Sequence, residues 1–172
     1  MFKVFVMSML FLSWQGVAKD SVSYFLKGEF NATDSITGIG FTLPIGPRYA
    51  AVKGEFVSSL NYAEVLDEDG DMQDFMAWDT GVRLGVYGKV FVYIEAGFDA
   101  FEIVSDDRRN DDDYYFDKTQ KNNSVDGYAG LGAGINMPNM RIEGFIKARQ
   151  IDGDYWDSDK QVFYGLQISM FY

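Results

Sequence analysis

Residues Gln161 to Tyr172 read QVFYGLQISMFY, and the fold is decided by how this stretch is read. A strand alternates its side chains between two faces. Val162, Tyr164, Leu166, Ile168, Met170 and Tyr172 therefore share one face, and Phe163, Gly165, Gln167, Ser169 and Phe171 share the other. An apolar face this long on a soluble sheet requires a covering layer. In a membrane barrel it requires only lipid.

The same period-2 alternation recurs upstream. It predicts strands over about Ser21 to Phe30, Gly38 to Leu43, Ala50 to Leu60, Ala77 to Val86, Val90 to Ala100, Val125 to Ile135 and Met140 to Arg149, with the opening stretch as the eighth. The connections alternate in length. Pro44–Pro47, Gly88–Lys89 and Met137–Asn139 are short. Asn61 to Phe75, Glu102 to Ser124 and Ile151 to Lys160 are long and acidic, and Asn31 to Ser35 is a short polar link. Short turns at one end and long loops at the other are the pattern of an up-and-down membrane barrel.

Charge assigns the faces. The face continuous with Leu166 carries no Asp, Glu, Lys or Arg in any strand. The opposite face carries Lys27, Glu29, Lys53, Glu55, Asp79, Arg83, Glu95, Asp99, Asp126, Arg141, Glu143, Lys147 and Arg149. A soluble eight-stranded barrel is apolar inside and polar outside. This chain has the inverse arrangement, which predicts an all-β, eight-stranded, antiparallel, up-and-down transmembrane β-barrel. Eight strands leave room only for their own side chains, so the nearly balanced interior charges should pair into a salt-bridged plug. Arg83 and Glu95 fall opposite or one diagonal apart across the Gly88–Lys89 hairpin. Trp78, Tyr62, Tyr24, Tyr164 and Tyr172 lie near strand ends, where an interfacial girdle would sit.

The N-terminal MFKVFVMSMLFLSWQGVAKD has a basic Lys3, an apolar run from Val4 to Trp14, and small residues up to Ala18. That run is short of the about 20 residues a membrane helix needs. The expectation is a cleaved signal peptide over residues 1–18 and one barrel domain over 19–172.

With these features in place, the opening stretch resembles the last strand of bacterial outer-membrane β-barrels, which ends in an aromatic residue preceded by alternating apolar positions. The resemblance implies that Tyr164, Leu166, Ile168, Met170 and Tyr172 form the signal read by the barrel-assembly machinery; Phe is the usual last residue, and Tyr172 is a tolerated variant. Over Ser21 to Tyr172 the chain resembles the small OmpA/OmpX-type barrels, on architecture rather than an internal motif, and the expectation is that no peptidoglycan-binding domain follows the barrel. It implies placement among outer-membrane lipid and lipopolysaccharide, loops extracellular and both termini periplasmic, and a role in envelope stability, adhesion or partner binding.

The chain has no histidine. Barrel enzymes of the outer membrane, the acyltransferases, deacylases, phospholipases and omptin proteases, use histidine as base or in a triad. The expectation is therefore a protein that is not an enzyme, with a narrow pore as the alternative reading. The net charge of −11 is concentrated in the long connections. Asp67, Asp69 and Asp71, and Asp152 with Asp154, are oxygen-ligand clusters suited to Ca²⁺ or Mg²⁺, without the full calcium-loop pattern. Tyr114, Tyr115, Phe116, Tyr155 and Trp156 stand beside these acids, a composition fit for a cationic protein partner. An acidic rim repels nucleic acid.

Overall fold

The computed structural model describes residues 22–46, 51–66, 70–105, 126–150 and 160–172. The signal-peptide assignment lies outside them. Eight strands close into one antiparallel barrel, each hydrogen-bonded to its sequence neighbours and the last to the first. They are β1 (Ser23–Phe30), β2 (Ser35–Ile45), β3 (Lys53–Leu66), β4 (Met72–Tyr87), β5 (Val90–Asp99), β6 (Gly127–Asn136), β7 (Met140–Gln150) and β8 (Lys160–Phe171), with a short helix α1 (Ala100–Ser105) after β5.

The strands are strongly tilted. Partner by partner from Ser23, the path runs through Thr42, Val57, Gly81, Gly97, Tyr128 and Arg149 to Gln161. Gln161 then accepts a hydrogen bond from Asn31, just past the other end of β1, at 2.6 Å. One circuit thus climbs the whole length of a strand, as closure of eight strands demands.

The predicted faces are the observed ones. Tyr164, Leu166, Ile168 and Met170 of β8 are exposed, and Phe163, Gly165, Gln167 and Ser169 are buried. Leu26, Ile39, Val82, Ile94, Leu131 and Ile146 continue the exposed apolar surface around the wall. Tyr24 and Tyr172 meet edge to face at 5.6 Å where β1 closes on β8.

Several boundaries differ from the sequence reading: β2 begins at Ser35 rather than Gly38, β3 at Lys53 rather than Ala50, and β6 at Gly127 rather than Val125. The acidic stretch Asn61 to Phe75 is mostly strand: β3 runs on to Leu66 and β4 begins at Met72. Alternation persists there, with Ala63 and Val65 buried and Glu64 and Asp74 exposed, so its acids point to water without breaking the ladder. Pro44 is the penultimate residue of β2 rather than a turn residue. Pairing with β1 has already stopped at Thr42, so a missing N–H is tolerated there. Ala100, predicted as strand, starts α1.

Inward glycines are matched to inward aromatics. Gly132 pairs with Tyr93 on one side and Phe145 on the other, and Gly165 pairs with Phe145. A Cβ at Gly132 would strike the Tyr93 ring, and one at Gly165 the Phe145 ring. These strands need glycine because the neighbouring ring lies flat across the backbone.

Candidate functional site

The candidate site is the barrel interior, built in layers between the end bearing the short turns and the end bearing the long connections. Lys27, Glu29, Glu55, Asp79, Arg83, Glu95, Arg141, Glu143, Lys147 and Arg149 are all buried, as their inward phase predicts. They form five cations against five anions.

At the short-turn end, Arg141 sits among the rings of Tyr87, Phe91 and Phe171, at 5.0, 4.8 and 5.3 Å from their centroids. Its Nη1 donates to Glu55 at 3.0 Å and its Nε to Asn136 at 3.1 Å. Cation and aromatic faces attract most strongly where water is excluded. This layer occupies the short-turn end of the lumen.

Arg83 is the hub of the middle layer. Its Nε donates to Glu95, directly opposite in register, at 2.5 Å. Nη1 donates to Glu143 at 2.8 Å and Nη2 to Gln167 at 3.0 Å, across the lumen. The Tyr93 ring lies 4.4 Å from the guanidinium and its hydroxyl donates to Glu143 at 2.8 Å. Lys147 carries the network upward, at 2.9 Å from Glu95 and 3.6 Å from Glu29.

In the next layer Arg149 reaches Glu29 through Nε and Nη2 at 2.9 and 2.8 Å, and Asp79 through Nη1 and Nη2 at 3.0 and 2.6 Å. Lys27 spans the same two carboxylates at 2.7 and 2.8 Å. Above lies an apolar cluster of Ile36, Ala63, Val65 and Phe163, flanked by Phe75, which the charge pattern did not predict. A cavity of about 30 Å³ beside it, lined by Asp79, Asp99, Tyr128 and Arg149 among others, has room for about one water.

Three predicted interior residues are half-buried rather than buried. Lys53 is half-buried at the first position of β3, at the rim of the short-turn end, and Asp126 is half-buried just before β6. Asp99 caps instead of neutralising: its Oδ1 accepts the Phe101 N–H at 2.8 Å, opening α1, and the Trp78 N–H at 2.9 Å. Trp78 lies one residue past the last β4–β5 pair, so its amide needs that acceptor. Replacing Asp99 with alanine should therefore destabilise this corner by about 0.5–2 kcal/mol. Amide exchange should accelerate at Trp78 and Phe101 and stay unchanged at Ile94 and Val82; a uniform acceleration would contradict the capping role.

Of the proposed cation ligands, Asp67, Asp69, Asp152 and Asp154 lie outside the described residues, and Asp71 is exposed. Among the described residues no group of three or more acids is placed to hold a metal ion. Tyr87, Tyr93, Phe91, Phe171 and Gln167 are interior residues that charge alone could not reveal. Their inward phase was the available signal.

No family model matches the sequence, and no curated protein matches it significantly. Among solved structures, the backbone of the Yersinia pestis outer membrane protein Ail in a phospholipid bilayer nanodisc is similar in fold, with a TM-score of 0.53. The two are 12% identical, over 90% of this chain and 100% of that one.

Proposed function

We propose that the chain is a closed, non-catalytic barrel of the bacterial outer membrane, presenting acidic extracellular connections for contacts at the cell surface. The unbroken exposed apolar wall and the fold shared with a bilayer-embedded outer membrane protein support the placement. The end where β3 and β4 run on through acidic residues, and where the chain makes its longest connections after β5 and β7, supports loops outside and both ends of the barrel's chain in the periplasm.

The observation that carries the reading is the self-neutralised interior. Every layer is occupied: the Arg141 aromatic box, the Arg83 hub, the Arg149 cluster and the apolar cap. A pore would need a continuous aqueous path, and cations locked to anions obstruct one. Protein reconstituted in planar bilayers should give no single-channel steps. Reproducible steps would overturn the closed reading in favour of a narrow pore.

The excess acid of the connections then faces the medium. It suits divalent cations that bridge to lipopolysaccharide phosphates, or a cationic protein partner.

A further inference from the structure

We infer that α1 and the adjoining outer face of β4 form an interfacial ledge that rests on the outer-leaflet lipid, raising the apolar margin on one side of the barrel. The inference rests on the membrane placement proposed above.

The ledge is continuous with the lipid-facing wall. Phe98 pairs with Thr80, and the next outward residue of β4 is Trp78. Phe101 of α1 packs edge-on against Trp78, with ring centroids 5.9 Å apart. The Trp78 indole N–H donates to Ser58 at 2.9 Å, so the ring lies along the wall with its polar atom satisfied. Beyond it Met76 is 56% exposed, and on α1 Phe101 and Ile103 are 37% and 54% exposed. None of these four side chains carries charge. Across the barrel β1 ends at Phe30, whose β8 partner is Tyr164, and among the described residues no helix extends the wall there.

Aromatic and aliphatic groups at the end of a lipid-facing wall suit the glycerol and upper-chain depth of a bilayer. The Asp99 cap sets the ledge in place by holding the first turn of α1 and the Trp78 backbone on one carboxylate oxygen. Its occupant is lipid, because the surface continues the face that lipid already covers.

The chain contains no cysteine, so single-cysteine variants can be spin-labelled directly. Full barrels carrying Ile103→Cys, Leu131→Cys on the mid-wall, or Lys89→Cys at the opposite turn would be reconstituted in phosphatidylcholine vesicles. The label at 103 should relax with oxygen, like that at 131, and be protected from a water-soluble nickel chelate, unlike that at 89. Nickel access at 103 equal to that at 89 would overturn the ledge. A label at 103 closed to both relaxants would also overturn it, showing a protein cover. Nickel access at 131 would instead sink the membrane placement itself.

Discussion

Replacing Arg83 with methionine is expected to destabilise the folded barrel by about 3–5 kcal/mol, the range found when one partner of a buried ion pair is removed. Arg83 is fully buried and serves Glu95, Glu143 and Gln167 at once. After its loss, Glu95 retains Lys147 at 2.9 Å, but among the described residues Glu143 retains only the Tyr93 hydroxyl at 2.8 Å. The uncompensated charge therefore falls mainly on Glu143. Adding Glu143→Gln to Arg83→Met should restore a large part of the loss, while Glu143→Gln alone should destabilise. Urea unfolding in lipid vesicles, arranged as a double-mutant cycle, measures the coupling. Additive losses would show that Arg83 acts by packing rather than by charge. The network itself is no argument for high stability, since a well-packed apolar interior can match it. Its consequence is a lumen whose occupants hold one another in place.

The facing of the strands was legible in the sequence because charge recurs in one phase only along the wall, while the opposite phase there stays uncharged. Inverting one strand would bury apolar residues among ions and expose charges on the wall. Arg83 opposite Glu95 was legible too, because a hairpin places partners by counting back from its turn. The bonds of Arg149 to Glu29 and Asp79, and of Arg141 to Glu55, were not. These partners lie 70 to 120 positions apart and meet only because tilt sets which layers coincide across the lumen. Asp99 shows a different limit. Its inward phase matched the ionic residues, yet it stands where pairing ends and a helix begins, so backbone amides claim it. The extension of β3 and β4 through acidic residues was missed because composition marks loops only where charge has to leave a strand to reach water. Past the margin of the apolar wall, Glu64 and Asp74 reach water from within the strand.

Leu166→Arg should destabilise the barrel by about 2–4 kcal/mol if the wall faces the bilayer core, and by no more than about 0.5 kcal/mol if it faces water. The position separates the medium from packing. Leu166 is 60% exposed and its cross-strand partners are Gly28 and Gly144, so a longer side chain meets no crowding. A hydrogen at each neighbouring Cα also leaves no polar group to pair with the guanidinium. Any large penalty must therefore come from what surrounds the wall. The same substitution at Val162, outward on the same strand and toward the long connections, should cost only about 0–1 kcal/mol, because a guanidinium there reaches the interface. Both values come from urea titration of vesicle-reconstituted protein. A steep gradient along one strand can arise only from a medium that changes with depth. A flat profile would mean that the stretch from Gln161 to Tyr172 faces a uniform solvent, and the inverted barrel would lose its physical basis.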